Sequence, residues 1–87
     1  MPLYRIERTV GPVSNEEIDA SIFRAANCMP LFAQMRWVRS FLDHAAGRVT
    51  CYYEAASAED IRKHAEIAHL ACDSVAEVTE YLPDHYR

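Results

Sequence analysis

Apolar residues recur along this chain with two periods. Four stretches alternate, as half-buried strands do, and two repeat at every third or fourth position, as amphipathic helices do. The first alternating stretch covers residues 2–10. Tyr4, Ile6 and Arg8 point to one side and Leu3, Arg5, Glu7 and Thr9 to the other, until Gly11 and Pro12 stop it. Ser14 then opens a helix, and Glu17 three residues later completes a capping box. Ile18, Ile22, Ala25 and Met29 form the apolar stripe of that helix, and Pro30 closes it. Residues 31–34 lead into a hairpin. Beyond the hairpin, Ser57 caps a second helix with Asp60 at its third position. Ile61, His64, Ala65 and Ala68 make its inner stripe, while Glu59 and Lys63 lie one turn apart on the solvated side. The last alternating stretch, residues 75–82, sets Ala76, Val78 and Leu82 against Glu77, Thr79 and Tyr81 before Pro83 ends it.

The hairpin carries most of the fold information. Residues 36–42 and 49–53 are rich in β-formers, and Gly47 between them is placed to supply a positive φ. With Asp43 opposite Arg48, the register predicts Leu42 facing Val49, Ser40 facing Cys51 and Val38 facing Tyr53. On the other face it predicts Phe41 with Thr50, Arg39 with Tyr52 and Trp37 with Glu54. Val38, Leu42, Val49, Cys51 and Tyr53 then form a core face under the helices. Trp37, Phe41 and Tyr52 lie on the outer face with Arg39 and Glu54, and Arg5 and Glu7 extend that set of charges. A sheet open to water on one side is polar there, so an aromatic outer face predicts a cover, either a second copy of the chain or a ligand. The order strand, helix, strand, strand, helix, strand predicts an α+β, ferredoxin-like βαββαβ domain spanning residues 1–87. Its antiparallel sheet carries both helices on one face.

Composition narrows the partners. Eighty-seven residues make one domain, and chains this short commonly gain stability by dimerising. Half of the residues are apolar, which argues against disorder. The net charge is −4 with no basic cluster, which argues against nucleic acid and anionic membrane surfaces. No apolar run approaches the roughly 20 residues of a membrane-spanning helix, and no signal segment is recognisable. Cys28, Cys51 and Cys72 are odd in number and form no CxxC pair, so free thiols in a reducing, cytoplasmic setting are expected.

Three groups of residues are candidates for chemistry. Imidazole and carboxylate together suit nickel and other divalent transition metals. Asp43-His44 at the hairpin tip and Asp84-His85 in the tail are adjacent pairs, and Asp60 and His64 share a helix face at i, i+4. His69 lies near the end of that helix. Such pairs are ordinarily just polar surface residues. A second group is a pocket reading, in which His64 projects inward towards Ser40, Cys51 and Tyr53, with Glu54 near, and acts as a base or activates a nucleophile. Its plain counterpart is a core histidine satisfied by a neighbouring carbonyl or hydroxyl, and no third residue to orient a base is evident. The third group is the charged set on the outer face, which fits a dimer interface better than a ligand chamber. Pro2 is no candidate for a proline-amine base, because Met1 precedes it and its nitrogen is an amide.

Several stretches resemble one family. They are residues 1–9 (MPLYRIERT), 36–41 (RWVRSF), 51–59 (CYYEAASAE), 61–65 (IRKHA) and 73–78 (DSVAEV). Their order and spacing are similar to those of small nickel-binding, ferredoxin-like bacterial proteins best known from actinobacteria. The resemblance implies a homodimer related to dimeric α+β barrels, with divalent nickel bound at the dimer surface and a role in nickel sequestration or detoxification. It identifies no ligand, so the metal candidates remain Asp43, His44, Asp60, His64, Asp84 and His85. Family members often carry Gly-Leu-Pro after the second helix, where this chain has His69-Leu70-Ala71. The expectation is a homodimeric divalent-metal binder, nickel first. The alternative is a small dimeric α+β barrel enzyme (a cofactor-independent oxygenase, isomerase or cyclase) built around His64.

Overall fold

The computed structural model describes residues 1–87. Its elements are β1 (Leu3–Thr9), α1 (Asn15–Cys28), β2 (Arg36–Asp43), β3 (Arg48–Glu54), α2 (Ala58–Ala68) and β4 (Ser74–Val78). Short 3-10 turns follow α1 at Met29–Leu31 and close the chain at Pro83–Tyr86. The strands form one antiparallel sheet in the order β2-β3-β1-β4, the ferredoxin-like arrangement expected. No helix is long and apolar enough to cross a membrane.

Both helices begin as their caps require. Ser14 Oγ accepts the Glu17 amide at 3.1 Å, and the Ser14 amide donates to Glu17 Oε1 at 2.9 Å. This arrangement holds the Glu17 carboxyl below the ordinary carboxylate range, chiefly through the hydrogen bond with the Ser14 backbone. Ser57 Oγ accepts the Asp60 amide at 3.2 Å. Helix α2 ends on His69 in the left-handed region, at φ 57°. The His69 amide donates to Glu66 O at 3.3 Å and the Leu70 amide to Ala65 O at 2.8 Å, the paired bonds of a Schellman closure. Arg24 of α1 donates to the Ala68 carbonyl at 2.9 Å, satisfying another orphaned acceptor at that end.

The inner face of the sheet carries Tyr4, Ile6 and Arg8 from β1 with Cys51 and Tyr53 from β3, all buried. Helix α2 lays Ile61, His64, Ala65 and Ala68 onto it, the stripe read from the sequence. Ile6 and Ile61 are fully enclosed, and each contributes roughly 1.5–3 kcal/mol by leaving water. Gly47 takes φ 62° at the hairpin turn and is buried because Gly11 crosses it. A β-carbon there would lie 2.8 Å from Gly11 Cα.

Three expectations are corrected. The hairpin register holds from Asp43–Arg48 up to Arg39–Tyr52, but a bulge at Val38 then brings Trp37 opposite Tyr53 and Arg36 opposite Glu54. Trp37 therefore joins the helix side and Val38 the outer side, the reverse of the regular alternation. The indole Nε1 donates to Ser40 Oγ at 2.9 Å; residues three apart in a regular strand face opposite ways, and the extra residue puts both on one side. Second, β4 stops at Val78 rather than running on to Leu82. Its partner β1 begins at Leu3, opposite Val78, so no strand remains to pair further residues. Third, the outer charges do not join in the network expected. Arg5 and Glu7 pair with each other, while Arg36 is attracted to both Glu54 and Glu80 and so couples the other two pairs. Arg5–Glu7 lie at 3.7 Å, Arg36–Glu54 at 2.9 Å and Arg39–Glu80 at 3.5 Å.

Candidate functional site

Helix α1 has an apolar stripe but buries none of its residues. Ile18, Ile22 and Ala25, expected in the core, instead form one wall of an open cleft of about 460 Å³ between α1 and the inner face of the sheet, and Met29 lines the cleft while also packing against the core. The opposite wall includes Trp37, Leu42, Val49 and Tyr53. Helix α1 is held to α2 rather than to the sheet: His64 Nε2 lies 2.8 Å from Ala25 O, and Arg24 reaches the end of α2.

Polar groups converge on the sheet wall of this cleft. Trp37 Nε1 donates to Ser40 Oγ, and Ser40 Oγ in turn donates to Cys51 Sγ at 2.9 Å. Arg8 Nε also approaches that sulfur, at 3.5 Å. Arg8 Nη1 donates to the Ala71 carbonyl at 2.6 Å, and Nη2 donates to the Tyr53 hydroxyl at 3.4 Å. The guanidinium carbon lies 5.7 Å from the centre of the Tyr53 ring. Burial is the main reason the Tyr53 phenol is pushed up to about 12, so it stays neutral and keeps its proton to donate.

The set read from the sequence as a pocket therefore divides. Ser40, Cys51 and Tyr53 do meet on one wall. Glu54 lies apart, paired with Arg36, whose hydrogen bond is the main reason its carboxyl titrates below the ordinary range. His64 is fully buried and does not line the cleft. It is packed edge-on against Phe32 and Tyr53, with ring centres 5.9 Å and 5.5 Å away. Because its Nε2 faces a carbonyl, the proton sits there, and Nδ1 is left as a buried lone pair with no donor. Burial, above all, holds the imidazole pKa below its ordinary value. The ring is thus a core histidine satisfied at Nε2 alone, and it does not face the cleft. The sequence pattern marks neither Arg8 nor Trp37 as part of this cleft, and its regular alternation puts Trp37 on the outer face. The available signal was that Arg8 alternates in phase with Tyr4 and Ile6, which puts a cation on the core side.

The metal candidates lie in separate places. Asp43 and His44 are exposed at the hairpin tip, where Asp43 Oδ1 accepts the Ala46 amide at 3.0 Å. Asp84 and His85 are exposed in the last turn, and Asp84 pairs with Arg87 at 3.3 Å. Asp60 is half-buried on α2, one turn before His64. No three His, Cys, Asp or Glu side chains of one protomer gather where they could hold an ion. One chain alone therefore supplies at most a two-donor site from these pairs, fewer ligands than a transition metal ordinarily takes.

Comparison with known proteins bears on the whole domain. A family model described as nickel responsive protein SCO4226-like matches residues 4–78. The crystal structure of SCO4226 from Streptomyces coelicolor A3(2) superposes with a TM-score of 0.82, over 92% of this chain and 99% of that one, at 17% identity. That likeness establishes a shared fold. No curated protein matches the chain.

Proposed function

This chain belongs to the nickel responsive SCO4226-like family, and on that premise we propose that it binds a divalent transition metal, nickel first, as a homodimer. The family match is the observation that carries the reading, and the role proposed with it is sequestration or detoxification of the ion. Two features of the chain support it. The exposed pairs Asp43-His44 and Asp84-His85 each combine an imidazole with a carboxylate, a donor set suited to nickel. Their carboxylates make only exposed contacts, with the Ala46 amide and with Arg87, which exchange for an ion at little cost. A single protomer leaves these pairs incomplete, so a second copy is the natural source of the missing donors. Asp60 and His64 are the weaker candidates, because His64 Nε2 already faces Ala25 and its Nδ1 is enclosed.

Calorimetric titration of nickel chloride into the untagged chain at neutral pH tests this. Saturable binding at micromolar metal is expected, reduced at least tenfold by His44→Ala or His85→Ala and little changed by His64→Ala. Absence of heat at micromolar metal overturns the reading.

A further inference from the structure

Arg8 is 4% exposed and has no carboxylate within 4 Å; all the ion pairs of the chain involve other residues. A guanidinium has five N–H donors, and those of Arg8 meet one thiol sulfur, one carbonyl and one phenol oxygen, leaving two unspent. Arginine remains protonated in proteins, and a buried charge without a counter-ion is costly. This cation lines the cleft. We propose that the cleft between α1 and the sheet binds a small apolar carboxylate, with Arg8 as its counter-ion.

The walls define the rest of the ligand. Fifteen of the twenty-two lining residues are apolar, so the occupant carries a hydrocarbon or aromatic body rather than a sugar or a free inorganic anion. The volume of about 460 Å³ lies within the roughly 300–1,000 Å³ usual for small-molecule sites. The incompletely packed stripe of α1 is what such a body would cover: Ile18 and Ile22 line the cleft together with Trp37 and Leu42 of the sheet wall. The Tyr53 hydroxyl, neutral and already accepting from Arg8, supplies a second donor beside the cation. Arg24, His69 and Glu17 also line the cleft. Arg24 donates to the Ala68 and His69 carbonyls and is exposed, so its charge stays solvated, whereas that of Arg8 is buried; the Glu17 carboxylate accepts from the Ser14 amide. None of the exposed Asp-His pairs lines the cleft, so this site stands or falls separately from metal binding.

The test compares sodium octanoate with 1-octanol, two probes of equal chain length and different charge, by calorimetry on the full chain at pH 7. Octanoate is expected to bind saturably, at least tenfold more tightly than 1-octanol, and to change the emission of Trp37, the only tryptophan. Arg8→Met removes the preference for the acid. Ile22→Phe, which narrows the cleft and leaves the cation in place, weakens both probes. Equal affinity of the wild-type chain for the two probes overturns the proposal, as does the absence of saturable octanoate binding up to millimolar concentration. The wild-type comparison decides alone if Arg8→Met does not fold.

Discussion

His64 Nε2 stands 2.8 Å from the carbonyl oxygen of Ala25, so the buried imidazole of α2 is a direct tie to α1. Both helices lie over the sheet, yet α1 has few other anchors. The bond therefore helps to set how far α1 stands from the strands and how wide the cleft is.

The imidazole also makes stability depend on pH. Burial keeps its folded pKa below the unfolded value of about 6.5. The unfolded chain then takes up a proton that the folded chain refuses. Stability is complete above pH 6.5 and falls as the pH drops below it, by at most about 1.4 kcal/mol per unit. Urea denaturation between pH 7.5 and 5.5 is expected to show this decline. His64→Leu is expected to flatten it and, by leaving Ala25 O without its partner, to cost about 1–3 kcal/mol at pH 7.5.

His69 occupies a left-handed position where a β-carbon is strained. His69→Gly keeps the closing bonds to Ala65 and Glu66, which are made by backbone amides. The urea midpoint is expected to rise by the equivalent of about 0.5–1 kcal/mol with an unchanged slope.

Phe41 is 59% exposed on the outer face of the sheet and meets Tyr52 edge-on at 6.4 Å. Leu3, Val38 and Val78 border the same groove. The proposed dimer buries this patch. Light scattering is expected to give twice the 9.9 kDa chain mass for the wild type and a single chain for Phe41→Glu. Loss of one aromatic anchor of about 2 kcal/mol weakens association roughly 30-fold. Trp37 lies on the other side of the sheet, so its quenching by acrylamide is expected not to change on dissociation.

Local chemistry in the sequence determined the elements and their order. Ser14 with Glu17, and Ser57 with Asp60, mark the helix starts because capping is made within one turn. The hairpin register next to Gly47 was legible because turn geometry fixes the nearest pairs, and the α2 stripe because its period is that of the helix. Ser40, Cys51 and Tyr53 meet for the same reason, since they alternate on paired strands.

Only the tertiary structure decided the remainder. The bulge at Val38 accompanies an indole reaching Ser40, a contact no alternation rule contains. The end of β4 is set by where its neighbour begins, seventy-odd residues earlier in the chain. The stripe of α1 reads as core but lines a cleft, because periodicity shows which way a helix faces and not how closely it packs. Arg8 became a site residue for a similar reason. Its direction was written in β1, but its lack of a counter-ion depends on every other element packed around it.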